Sequence, residues 1–171
     1  DDMPMPAPLN LLEPVAQGHF GSFAAYFQAL RDTPPAVNVA AMIGHTTLRA
    51  AVMPDLERPA QPDEIAAMQA LVQEAMDAGA IGLSTGTFYP PAMAATTEEI
   101  IEVARPLSAY KALYATHMRD EADEVLDAID ETLRIGRELG IPVVISHHKL
   151  QHPRNFGRSN TTLPKIQAAM R

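Results

Sequence analysis

The feature that most constrains this chain is a repeat, from residue 37 onward, of short apolar runs alternating with longer amphipathic ones. Strands are expected at Val37–Ile43, Ile81–Thr85, Leu113–His117 and Pro142–His147, with helices near Asp63–Asp77, Thr97–Tyr110 and Glu121–Leu139, and a last helix from about Thr161. Continuously apolar strands joined by helices describe a parallel sheet covered by helices. Ile81 to Leu113 and Leu113 to Val143 each make about one βα period. That regular spacing favours a barrel-type or doubly wound α/β array.

Local signals agree with these boundaries. Pro62-Asp63-Glu64 places proline and acids at a helix start, and Gly79 follows its end. Thr96 with Glu99 three residues on is a capping-box pattern. In the helix after Leu113–His117, Val125, Ile129, Leu133 and Ile135 can face the sheet while Glu124, Asp127, Glu131 and Arg134 face water. Gly140-Ile141-Pro142 stops that helix. Ahead of the repeat, Pro4, Pro6, Pro8 and Pro14 read as loop, and Phe23, Tyr26, Phe27 and Leu30 recur at helical spacing.

Four strands cannot close an eight-stranded barrel, which takes about 250 residues. The 171 residues run from a proline-rich connection to a helix still in progress at Ala169-Met170-Arg171. The expected architecture is therefore α/β, about four consecutive βα units of a partial (β/α)8 TIM barrel. Its net charge of −8 and pI near 5.1 argue against nucleic acid or an anionic membrane as partner. No apolar run is long enough to span a bilayer and no signal peptide is evident, so a cytoplasmic location is the default expectation. There is no cysteine, hence no thiolate ligand within the chain.

Chemistry concentrates after the strands, where βα-repeat proteins place it. His117, in Thr116-His117-Met118-Arg119-Asp120-Glu121, and His147, in Ser146-His147-His148-Lys149, end successive strands and are read as a pair of metal ligands, since neutral imidazole is the commonest protein ligand for zinc. Alternation sends His148 to the opposite face and returns Lys149 to that of His147, where a cation can hold a substrate carboxylate or simply face solvent. Tyr89, on the loop stiffened by Pro90 and Pro91, can donate to a developing oxyanion or pack. The Gly86 turn does not match a phosphate-binding fingerprint. His45 is either a third mouth histidine or, with Arg49 and the hydroxyls beside it, part of a polar network bracing the loop; the second account is preferred. His19 and His152 fall in loop-like sequence, and Asn155 to Ser159 reads as a turn.

Taken in order, Asn38 to Arg49, Gly82-Leu83-Ser84-Thr85-Gly86 with Tyr89, Thr116 to Glu121, and Ile145 to Lys149 with Asn155-Phe156-Gly157-Arg158-Ser159 resemble the N-acyl-D-amino-acid deacylases (D-aminoacylases), metal-dependent members of the amidohydrolase superfamily. The resemblance implies that residues 1–171 are the central segment of one (β/α)8 catalytic domain, about its third to sixth strands, with residues 1–36 a connection and helix leading into it. It implies Zn2+ held by His117 and His147 together with a histidine pair, a cysteine and an aspartate elsewhere in the barrel. It implies hydrolysis of a small N-acyl-D-amino acid to a carboxylate and a free D-amino acid, with Tyr89 stabilising the oxyanion and Lys149 binding the substrate carboxylate. The remainder of the barrel would be required, and the isolated segment is expected to be inactive. A non-catalytic barrel fragment or binding module, and an amidohydrolase of cyclic amides or dipeptides, are the alternatives.

Overall fold

A computed structural model describes residues 20–170; the proline-rich loop expected over residues 1–18, and His19, lie outside them. The elements run α1 (Phe23–Asp32), β1 (Ile43–Gly44), α2 (His45–Val52), α3 (Pro62–Ala78), β2 (Gly82–Gly86), α4 (Pro90–Met93), α5 (Thr97–Ala104), α6 (Leu107–Tyr110), β3 (Leu113–His117), α7 (Val125–Leu139), β4 (Val143–Ile145) and α8 (Ser159–Ala169), with a 3-10 turn at Pro153–Asn155. The four strands form one parallel sheet in sequence order, the partial barrel of α/β type that the βα spacing implies.

Register sets where chemistry can gather. Gly44 pairs with Ser84, Gly86 with His117, and Thr116 with Ile145, so all four strands end close to one level. The main core lies where β2 and β3 meet α2, α3 and α5, around Leu48, Met68, Val72, Leu83, Ile100, Leu107 and Tyr114. A second, smaller cluster packs Met118, Val125 and Ile129 against Ile145 of β4 and Ile166 of α8. Tyr114 is buried, its hydroxyl 2.8 Å from Thr85 Oγ1, and burial pushes its pKa up to about 12. No described helix is long and apolar enough to cross a membrane.

Several elements depart from the sequence expectation for identifiable reasons. The strand expected over Val37–Ile43 shrinks to Ile43–Gly44, because β2 begins only at Gly82; Ala41 O still accepts from Ile81 N at 2.9 Å, but Val37 and Val39 are exposed. The helix α2, in a stretch taken for loop, starts at once from β1 and buries His45, Leu48 and Arg49. The expected helix Thr97–Tyr110 breaks in two at Arg105 and Pro106, since proline has no N–H for the helical ladder. The strand expected to reach His147 stops at Ile145, and His147 itself adopts a left-handed backbone with φ 38°. The last helix begins at Ser159, slightly before Thr161.

The start of α7 bears on function. Asp120 Oδ1 accepts from Ala122 N (2.7 Å) and Glu124 N (3.0 Å), a local turn that delays the helix to Val125. Glu121, expected in the helix, is thereby left beside the strand ends. Val125, Ile129 and Ile135 are buried and Leu133 partly so, as the periodicity implies. Gly136 lets α7 approach β4: a Cβ there would meet Val143 Cγ2 at 2.3 Å.

Candidate functional site

The flush strand ends open onto a cavity of about 320 Å3 lined by Gly44, His45, Ser84, Gly86, Tyr89, Thr116, His117 and Ser146. His117 is the last residue of β3, and His147 lies two residues past β4 in the turn that follows. Their rings meet with centroids 4.4 Å apart, and His117 Nδ1 faces His147 Nε2 in direct contact. Burial, and then the neighbouring His147, lowers the pKa of His117 below its ordinary value. A neutral imidazole keeps the lone pair that a metal requires.

The outer nitrogen of His147 has its own partner. Glu121, buried at 4% exposure, places Oε1 3.0 Å from His147 Nδ1, while its carboxylate forms an ion pair with Lys149 and accepts from Gln151 Nε2 at 3.3 Å. Lys149 Nζ also lies 2.9 Å from His147 Nδ1. With its proton on Nδ1, His147 donates to the Glu121 carboxylate and leaves Nε2 free toward His117; in the other tautomer Nδ1 accepts from Lys149 instead. Imidazoles that bind metals are held in the first way, with the far N–H given to a carboxylate. The pair therefore fits a metal, although among the described residues no group of three His, Cys, Asp or Glu side chains converges on one point. Sequence periodicity assigned Glu121 to a helix start; the Asp120 turn is what brings it here.

Tyr89 stands on the other side of His117, ring centroids 6.1 Å apart and edge to face. Its loop turns tightly, Tyr89 N donating to Gly86 O at 3.0 Å, and a Cβ on residue 86 would meet the Tyr89 ring at 2.9 Å. Glycine at 86 is thus what lets the phenol ring lie down beside the strand ends. Thr87 Oγ1, 3.3 Å from His117 O, ties the same turn to β3.

Arg49 forms a bracing network, with His45 beside it at the edge of the cavity. Arg49 is wholly buried, pairs with Glu99 of α5, and donates to Pro91 O (2.8 Å), Leu56 O (3.0 Å) and Arg58 O (2.7 Å). Glu99 Oε2 also accepts from Ala60 N at 2.8 Å. The Thr96 hydroxyl caps Glu99 N at 3.0 Å as the capping box requires, but the Glu99 carboxylate does not return to Thr96; it is spent on Arg49 and Ala60. His45 Nε2 comes within 3.3 Å of Glu99 Oε1 but off the line of a hydrogen bond, and both its nitrogens are buried without a partner. Desolvation lowers its pKa, against the pull of Glu99.

Glu131, expected on the solvent face of its helix, instead turns to Arg119, with Oε1 2.7 Å from Nη2, and accepts from Thr97 Oγ1 at 2.9 Å. His148 points away from the mouth, its Nε2 2.9 Å from Thr162 Oγ1 of α8, the direction expected of it although it lies in the turn past β4 and not in the strand. His152 is exposed in a turn. Asn155 is buried and holds Asp123 Oδ1 and Gln151 O through its amide.

No protein-family model matches the chain. Individual proteins do. It is 64% identical over 165 residues to the D-aminoacylase of Alcaligenes xylosoxydans xylosoxydans, a match that covers 96% of this chain and 34% of that protein. Among solved structures, a crystal structure of a D-aminoacylase described as defining a novel subset of amidohydrolases superposes with a TM-score of 0.93 at 60% identity, over 97% of this chain and 35% of the other. The N-acyl-D-glutamate deacylase of Bordetella bronchiseptica, in complex with zinc and a phosphonate mimic of the tetrahedral intermediate, superposes with a TM-score of 0.89 at 41% identity, over 98% and 36%. The chain spans about a third of the length of the relatives it matches. With these identities running through nearly all of its length, and with its four parallel strands laid out as theirs are, the chain belongs to the D-aminoacylase family of amidohydrolases.

Proposed function

We propose that this chain forms the central part of a (β/α)8 catalytic domain that hydrolyses the amide bond of N-acyl-D-amino acids, releasing a carboxylate and a free D-amino acid. The observation that carries the reading is the convergence of His117 and His147 at adjacent strand ends, with a Glu121 carboxylate oxygen 3.0 Å from the far nitrogen of His147. His117 and His147 would hold Zn2+. When bound, that ion lowers the pKa of a water molecule and polarises the amide carbonyl.

The remaining steps belong to side chains. The Tyr89 hydroxyl donates to the carbonyl oxygen as it gains charge, which is why a phenol beside the metal ligands is useful. Lys149, half exposed at 46%, receives the carboxylate of the substrate while Glu121 keeps its ammonium in place. The general base and the other metal ligands lie in parts of the barrel outside residues 1–171, which makes the remainder of the barrel a required partner and the isolated segment inactive. Two imidazoles alone make an incomplete zinc shell.

The test is an assay of the complete barrel with N-acetyl-D-methionine, N-acetyl-D-glutamate, their L-enantiomers and a hydantoin. Release of free D-amino acid from the D-substrates alone is expected. Turnover confined to the hydantoin, or none with any substrate in a zinc-loaded protein, contradicts the reading. Full activity from residues 1–171 by themselves contradicts the assignment of the segment.

A further inference from the structure

Tyr89 sits at the start of a short segment, Tyr89 to Ala95, whose internal bonds run from Ala92 N and Met93 N to Tyr89 O (3.0 and 2.8 Å) and from Ala95 N to Ala92 O (3.1 Å). The helix within it, α4, is only four residues long and begins with two prolines. The last carbonyls of a helix have no donor within it. Here the carbonyls of Pro91, Met93 and Ala95 are taken up by arginines reaching in from two sides. Arg49 of α2 donates Nε to Pro91 O at 2.8 Å. Arg119, two residues after His117, donates Nη1 to Met93 O at 2.8 Å and Nη2 to Ala95 O at 2.9 Å.

Each guanidinium is fixed in turn by a carboxylate from a following helix. Glu99 of α5 pairs with Arg49 inside the protein, both side chains at 2% exposure or less. Glu131 of α7 grips Arg119 through two bonds, Nε to Oε2 at 3.0 Å and Nη2 to Oε1 at 2.7 Å. Such two-pronged arginine–carboxylate pairs fix direction as well as distance. The segment is therefore bolted to the βα unit before it and to the strand end that carries His117.

We propose that Arg49 and Arg119, locked by Glu99 and Glu131, are positioning residues that set the Tyr89 hydroxyl against the His117 side of the mouth. The role rests on the function proposed for Tyr89. Displacing a reacting group by about 1 Å can cost about a hundredfold in rate, and loosening one clamp of two removes part of that alignment. Each arginine acts through the carbonyls of the tyrosine loop.

The test is a double-mutant cycle in the complete barrel with N-acetyl-D-methionine, reading kcat, KM and bound zinc. Tyr89→Phe is expected to lower kcat about a hundredfold, as loss of an oxyanion donor does. Arg119→Met is expected to lower kcat about tenfold with KM within about twofold and zinc retained, and to add nothing in the Tyr89→Phe background. Glu131→Gln, which keeps shape and weakens the grip, is expected to give a smaller loss that likewise vanishes without Tyr89. An unchanged kcat in Tyr89→Phe overturns the assignment of Tyr89 and the inference with it. A normal Tyr89→Phe loss combined with an unaffected Arg119→Met, a loss that multiplies with that of Tyr89→Phe, or loss of zinc overturns the positioning role alone. If Arg119→Met does not fold, the same criteria apply to Glu131→Gln.

Discussion

His117 Nδ1 and His147 Nε2 face each other in direct contact, although thirty residues separate them in the chain. Two features produce this: the parallel register that sets Thr116 beside Ile145, and the left-handed turn at His147 just past β4. Positive φ is uncommon for a residue with a side chain, and histidine is among those that tolerate it better. Glu121 anchors both His147 and Lys149, on either side of that turn, from the loop before α7.

The Arg49–Glu99 pair fixes the loop over residues 53–61 and the tyrosine loop together. Removing one partner of a buried pair leaves the other charge without compensation, at a cost of about 3–5 kcal/mol. Glu99→Ala is expected to destabilise the protein by that amount in urea unfolding. A change below about 1 kcal/mol, the size of an exposed pair, would show that the pair is not buried in solution.

His45 makes stability depend on pH. Its imidazole is held below its ordinary value, first by burial and also by the nearby guanidinium groups of Arg49 and Arg119, with Glu99 pulling the other way. The unfolded chain binds a proton at this residue near pH 6.5, where the folded chain does not. Stability is therefore complete above about pH 6.5 and declines as pH falls from there toward the lowered folded value. Urea midpoints between pH 7.5 and 5 should fall in the parent and fall less in His45→Asn. Parallel curves for the two proteins contradict this origin.

Gly86 separates alignment from stability. A methyl group at residue 86 meets a side-chain ring, not backbone, so the Tyr89 ring must move aside. Gly86→Ala in the complete barrel should cost kcat about tenfold or more, since misalignment of this kind is expensive, with an overpacking penalty of at most about 1–3 kcal/mol. Gly136→Ala makes the contrast: its methyl group would strike Val143, far from the mouth, and should lower stability with kcat intact. Equal kcat in Gly86→Ala and the parent would contradict the packing of Tyr89 against residue 86.

Much of the fold was legible because α3, β2, β3 and α7 are long or strongly patterned. The histidine pair was legible for the same reason, as both residues follow apolar runs of the kind that make buried strands. What escaped was decided by partners distant in the chain. Val37 to Met42 has strand-like residues but no neighbouring strand, and Pro106 splits one periodic helix into two. Glu99, Glu121 and Glu131 carried only local signals, of a cap, a helix start and a wet helix face. Each is instead drawn to a cation on another element, Arg49, Lys149 and Arg119 in turn. Arg49 amid hydroxyls suggested a polar network, and Arg49 does build one, but with Glu99 and backbone carbonyls and not with the neighbouring hydroxyls.

The zinc content of the complete barrel tests the central claim most directly. Metal analysis of the parent protein, His117→Ala and His147→Ala, purified alike and dialysed against a weak chelator, should find zinc in the parent and strongly reduced zinc in both variants, with deacylase activity lost in step. Glu121→Gln, which alters the carboxylate that faces His147 and holds Lys149, should weaken zinc binding by about 10- to 100-fold. A parent protein without zinc, or variants that keep as much zinc as the parent, would contradict the account.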